Sequence, residues 1–201
     1  METPIIFKAD DLSIEGLLHR VPGDRGVIVT HPHSQYGGSM HNPVVEEIIR
    51  VYGKNGYSTL RFNFRGVGSS EGSFENGCGE ARDVLGAIDY LIAAGIGTIH
   101  LAGYSFGSRV LAGITEIPAQ VKEQVYVSPP VAFMDFSSVG PINKLRLVIT
   151  GGNDDIAPSG EIQQQLRTWN PEAKLSIIKD CDHFYTSSLN QLANCLTAMF
   201  N

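Results

Sequence analysis

From residue 26 onward, short runs of β-branched residues alternate with stretches of helical periodicity, and this order narrows the possible architectures more than any other feature of the chain. The strand candidates are Val27–Val29, Tyr57–Phe64, Ile99–Leu101, Val125–Val127, Leu145–Ile149 and Leu175–Ile178, each bounded by Gly, Pro, Asn or Asp. Between them lie segments of helical spacing. Asn42-Pro43 opens one that carries Val44, Val45, Ile48, Ile49 and Tyr52 and stops at Gly53 or Gly56. A second runs from about Gly79 to Ala94 with Ala81, Val84, Leu85, Ile88 and Leu91 on one face. Others start at Ser105 or Phe106 and near Pro158, and a fifth covers about Thr186 to Phe200. Repeated strand–helix order of this kind predicts an α/β fold: a mostly parallel sheet of about eight strands, with right-handed crossovers and helices on both faces. Ahead of it, Ile5–Lys8 and Leu12–His19 read as an antiparallel hairpin turning at Asp10-Asp11. No repeat, linker or low-complexity tract interrupts residues 1–201, so a single domain is expected.

Composition removes several function classes. The formal net charge is −6 and no segment concentrates Lys or Arg, which argues against nucleic-acid or anionic-membrane partners. No apolar run approaches the ~20 residues that cross a bilayer, and the first residues lack the basic and apolar regions of a signal peptide. A cytoplasmic location is expected. The three cysteines, Cys78, Cys181 and Cys195, are odd in number and show no CxxC spacing, so neither a disulfide framework nor a zinc ribbon is expected.

In open parallel sheets the chemistry gathers at the carboxyl ends of the strands. After Ile99–Ala102 comes Gly103-Tyr104-Ser105-Phe106-Gly107, a G-x-S-x-G pentapeptide between a predicted strand and a predicted helix. The pentapeptide alone is a weak signal in a chain with 22 glycines, and its position gives it weight. A nucleophilic serine on a sharp turn needs small residues two positions to either side, and it needs an imidazole oriented by an acid. Both partners follow at later strand ends. Asp154 and Asp155 come after Leu145–Ile149, and His183 comes after Leu175–Ile178. The plain alternative for the two acids is capping of the helix near Pro158, and for His183 a position in a polar loop.

Two other motifs compete. His31, His33 and His41 could share a metal, but no Asp, Glu or Cys in that loop completes a ligand set, so no metal is expected. Arg65-Gly66-Val67-Gly68-Ser69-Ser70-Glu71-Gly72 is glycine-rich, yet a dinucleotide loop needs Gly where Glu71 stands and normally follows the first strand of its unit. No cofactor is expected.

On four motifs the chain resembles the small, lidless α/β-hydrolases of the serine-esterase and dienelactone-hydrolase-like group. They are His31-Pro32-His33 with Gly37-Gly38, Phe62 to Ser69, the elbow at Ser105, and Asp154 with His183. The resemblance covers nearly the whole chain from Ile5. Dienelactone hydrolases proper carry cysteine at the elbow, and Ser105 departs from that pattern. The resemblance implies an α/β-hydrolase fold without a cap domain, since only Ser128–Asn143 separates Val127 from the acid-bearing strand's Lys144. It selects Asp154 through the pattern G-x-x-D-x-x-x-P, matched by Gly151, Asp154 and Pro158, and it makes the Arg65 turn structural.

Together these readings give a serine hydrolase for small or short-chain carboxylic esters, with thioesters or lactones in the same chemical reach. Ser105, His183 and Asp154 are expected to form the triad, and the expected oxyanion donors are the backbone N–H groups of Phe106 and His33, with Ser34 as second candidate. Ser34, Tyr36, Phe133 and Phe184 are the candidate substrate contacts, joined by Met134 and Phe136 in the surrounding loops. Cys181 reads as an inert, partly buried thiol. The competing class is a catalytically silent scaffold of the same fold that binds a ligand or partner.

Overall fold

The computed structural model describes residues 1–200. Eight strands form one sheet: β1 (Thr3–Ala9), β2 (Leu12–His19), β3 (Arg25–Thr30), β4 (Ser58–Phe62), β5 (Thr98–Tyr104), β6 (Val121–Val127), β7 (Leu145–Gly151) and β8 (Lys174–Ile178). Five helices connect them: α1 (Pro43–Lys54), α2 (Cys78–Ala93), α3 (Phe106–Ala112), α4 (Ser159–Trp169) and α5 (Leu189–Thr197). The strand order is β1-β2-β4-β3-β5-β6-β7-β8. The β1–β2 hairpin is antiparallel and joins β4 antiparallel through β2, whereas every other pair is parallel.

Alternation along the central strands splits the core into two layers. Ile28, Leu101, Tyr126 and Val148 face α2, α3 and α4, while Val27, Val29, Ala102, Val125, Val127, Leu147 and Ile149 face α1 and α5. Because both faces are covered, these strands are apolar at consecutive positions and not at every second one. Helix α1 begins as its sequence requires: Pro43 occupies the first turn and the Asn42 side chain accepts the Val44 N–H at 2.9 Å. Helix α2 begins at Gly77, whose φ of 97° suits glycine, and the buried Glu80 carboxylate accepts the N–H groups of Gly77 and Glu75 at 2.7 and 3.0 Å.

Several strands extend beyond the sequence reading, β6 from Val121 and β5 to Tyr104, while two elements stop short of it. The strand expected to reach Phe64 ends at Phe62: the Asn63 N–H still donates to the Glu15 carbonyl of β2, but the Glu15 N–H goes to Ser70 Oγ, the Asn63 carbonyl accepts the Ser70 hydroxyl, and the Phe64 N–H donates to His31 Nε2. The last helix starts at Leu189 and not near Thr186. The Asp182 carboxylate takes the Phe184 and Thr186 N–H groups at 3.1 and 3.3 Å, and Tyr185 adopts φ 58°, which holds this stretch as a turn.

Between β6 and β7, residues 128–144 form only turns and bends, so no cap domain covers the carboxyl edge of the sheet. Among the described residues no helix is long and apolar enough to cross a membrane.

Candidate active site

Parallel strands β5, β7 and β8 bring the ends of three distant segments to one edge. Ser105 stands between β5 and α3 with φ 50° and ψ −119°, a strained conformation for a residue with a side chain. The flanking glycines explain how the turn closes. A Cβ on Gly103 would lie 2.6 Å from the Ser108 nitrogen, and one on Gly107 would lie 2.5 Å from Thr30 Oγ1 and 2.7 Å from its carbonyl oxygen. Only glycine lets the strand, the helix and the neighbouring β3 approach this closely.

Ser105 Oγ lies 2.9 Å from His183 Nε2, and His183 Nδ1 lies 2.9 Å from both carboxylate oxygens of Asp154. All three residues are buried to within a few per cent of full exclusion. With the Nδ1 proton donated to Asp154, Nε2 is left to accept the serine O–H. Asp154 is itself held by its turn, since Oδ1 accepts the N–H groups of Ile156 and Ala157 at 3.0 and 2.8 Å. Burial acts to raise the Asp154 pKa, but the hydrogen bond and charge of His183, together with the Ala157 N–H, outweigh it and hold the carboxyl below its ordinary value. Asp155, by contrast, is exposed.

His33 sits on the loop after β3, and Phe106 is the first residue of α3. Among the described residues, neither backbone N–H donates a hydrogen bond within the protein. His33 Nδ1 accepts the Gln35 N–H, and burial lowers the imidazole pKa despite the charge of Glu80 nearby, so the ring is neutral at pH 7. His31 is turned inward: its Nε2 accepts the Phe64 N–H at 3.0 Å, its Nδ1 donates to the Pro32 carbonyl at 2.6 Å, and burial takes its pKa down to about 4. It is a loop strut, with both nitrogens already engaged.

Comparison with known proteins gives the chain its relatives. No family model matches it. Over 204 residues it is 30% identical to the uncharacterised protein RP471 of Rickettsia prowazekii (strain Madrid E), across 96% of this chain and 86% of that one. It superposes on an α/β serine hydrolase homologue from Coxiella burnetii with a TM-score of 0.90 at 27% identity, covering 99% of this chain and 97% of that one. XC6422 of Xanthomonas campestris, described as an α/β serine hydrolase without lid, is 31% identical with a TM-score of 0.87, covering 98% of this chain and 92% of that one. The chain belongs to the lidless α/β serine hydrolases.

The site of this hydrolase opens into a cavity of about 290 Å³ bounded by Ser105, His183, His33 and Phe106. Its walls are apolar, with Tyr36, Phe133 and Phe184 at the exposed rim and Pro130, Met134 and Ile156 below. No Lys, Arg, Asp or Glu lines it. Of the residues expected to contact substrate, Ser34 and Phe136 are not among the lining residues: Phe136 is buried against Trp169 in the α4 layer, and the Ser34 hydroxyl is buried in its turn.

Three supports were not singled out from sequence. Tyr104 donates its hydroxyl to the His183 carbonyl at 2.9 Å, fixing the histidine loop from the elbow's own strand. Ser128, with φ 46° at the end of β6, hydrogen-bonds Tyr185 at 2.8 Å. Tyr104 lay within the motif, but a contact 79 residues along the chain leaves no local signal. Asp182, the third, accepts the N–H groups that shape the turn around Phe184. Cys181 is buried more completely than expected, and burial raises its thiol pKa, leaving it protonated at neutral pH.

Proposed function

We propose that this hydrolase cleaves small, uncharged carboxylic esters through an acyl-enzyme on Ser105. The observation that supports this most strongly is the unbroken hydrogen-bond chain from Ser105 Oγ through the His183 ring to Asp154. Ser105 attacks the ester carbonyl as His183 Nε2 takes its proton, and the carbonyl oxygen becomes an oxyanion. That oxyanion accepts hydrogen bonds from the unengaged N–H groups of Phe106 and His33. Collapse breaks the bond to the leaving alkoxide, which receives the proton from His183. Water then attacks the acyl-enzyme, giving up its proton to His183, and release of the acid restores Ser105. Asp154 keeps the Nδ1 proton in place and stabilises the imidazolium.

The acid can be tested by substitution. Asp154→Asn preserves volume but lets the imidazole take the wrong tautomer, a change worth about 10⁴-fold in kcat in comparable triads. The exposed Asp155→Asn is expected to leave kcat within about twofold, measured in parallel on p-nitrophenyl acetate.

Substrate size follows from the missing cap and the modest cavity. An acyl series from acetate to decanoate at fixed leaving group is expected to show kcat/KM highest at the short end, falling once the chain outgrows the enclosed walls. Equal or rising efficiency at ten carbons would contradict the size assignment.

A further inference from the structure

Phe74 lies in the connection between β4 and α2, in a stretch to which the sequence assigns no chemistry. In the structure its ring packs on two residues at once: its centroid is 4.9 Å from His33 and 5.6 Å from Phe106. His33 and Phe106 in turn lie 4.8 Å apart. The three rings therefore form a closed triangle spanning two loops and the start of α3. Two of its corners are the residues whose backbone N–H groups are the proposed oxyanion donors. Phe74 itself is not part of the cavity wall.

The third corner is held from outside the site. Gly66, at φ 76°, brings the Arg65 turn against the backbone of Ser73 and Phe74, so closely that a Cβ there would lie 3.0 Å from Ser73 Cα and 3.3 Å from the Phe74 nitrogen. Glu75 is then fixed at both ends. Its N–H donates to buried Glu80 at 3.0 Å, and its carboxylate receives Arg65 at 2.5 Å and Arg82 at 2.8 Å. Thus Phe74 is presented by a segment pinned on either side, and it has little freedom to follow movement of the His33 loop or of the start of α3.

We infer that Phe74 is a positioning residue, which sets the spacing of the His33 and Phe106 N–H donors and thereby the stabilisation of the oxyanion. The inference rests on the proposed acyl transfer at Ser105. Aromatic packing suits this role because the ring area resists sliding in two directions, and displacement of a reacting group by about 1 Å can cost 10²-fold. An effect that operates through the oxyanion appears in kcat, because the ground-state ester gains less from these donors than the tetrahedral intermediate does.

The test compares wild type, Phe74→Ala, Phe74→Leu and Phe74→Tyr on p-nitrophenyl acetate, with inhibition by a methyl trifluoromethyl ketone, whose hemiketal oxyanion occupies the donor site. Phe74→Ala is expected to lower kcat about ten- to a hundredfold with KM within about threefold, and to weaken the ketone by the same factor as kcat. Phe74→Tyr, which keeps the ring, is expected to restore kcat to within about threefold of wild type. Should Phe74→Ala not fold, Phe74→Leu keeps apolar volume without the ring and carries the same comparison. Unchanged kcat and ketone affinity in a folded variant would overturn the inference, as would a rise in KM alone. Fluorophosphonate labelling of Ser105 separates the two levels: an adduct with unaffected Phe74 variants removes only this inference, whereas no adduct in wild type removes the acyl-transfer reading and this inference with it.

Discussion

Ser105→Ala is expected to lower kcat for p-nitrophenyl acetate by about 10⁴- to 10⁶-fold while leaving thermal unfolding close to wild type. Loss of the nucleophile in serine triads costs as much as loss of the whole triad, because the members act as one unit. The residual rate belongs to the oxyanion donors and binding alone. Stability is spared for a local reason. The substitution removes one hydroxyl, whose recorded side-chain partner is His183, and keeps the backbone bonds of the elbow: Ser105 N–H to the Val127 carbonyl, and its own carbonyl to Ser108 and Arg109. A kcat within tenfold of wild type would remove Ser105 from the mechanism.

The largest effect on stability is expected far from the reacting atoms. Arg65 is 1% exposed and Asp83 is fully buried. The guanidinium gives Nε and Nη2 to Asp83 Oδ1 at 3.0 and 2.9 Å, while the Arg65 N–H gives a third bond to Oδ2 at 2.9 Å. Arg65→Ala leaves that carboxylate buried with only the backbone N–H. Removing one partner of a buried pair costs about 3–5 kcal/mol, which for a chain of this size lowers Tm by roughly 6–20 °C. Burial already raises the Asp83 pKa against the pull of Arg65. Without the guanidinium it rises further above the unfolded value of about 3.9, so the native carboxyl protonates more readily than the unfolded one. The variant's deficit is therefore smallest near pH 4 and grows as pH rises through the raised pKa. Melting curves at pH 4 and pH 7 check both magnitude and sign. A deficit independent of pH would mean that lost packing, and not the stranded carboxylate, dominates.

These two residues also mark what a sequence discloses. Ser105 is legible because its constraints are local: glycines at 103 and 107, a short apolar strand before and a helix after. His183 and an acid after β7 are legible through order, since parallel strands carry their trailing loops to the same edge whatever the intervening lengths, but order leaves Asp154 and Asp155 open and only the family resemblance selects Asp154. The alternating strands and the capped α1 follow from periodicity and turn chemistry over a few residues. Arg65 shows the limit. Its turn reads as structural, yet its partners Asp10, Glu75 and Asp83 lie at sequence separations of 55, 10 and 18, and no spacing rule selects them. Tyr104 and the ring triangle at Phe74 are missed for the same reason. The end of β4 and the start of α5 are missed because side chains, His31 and Asp182, capture backbone N–H groups that propensity would leave to a ladder or helix.

The central claim is that the imidazole activates Ser105. Intact-mass spectrometry of wild type and Ser105→Ala after exposure to a fluorophosphonate tests it directly. The account predicts one covalent adduct on wild type, absent from the variant. A folded wild-type protein that gains no adduct and turns over no ester would contradict it and leave the fold as a binding scaffold.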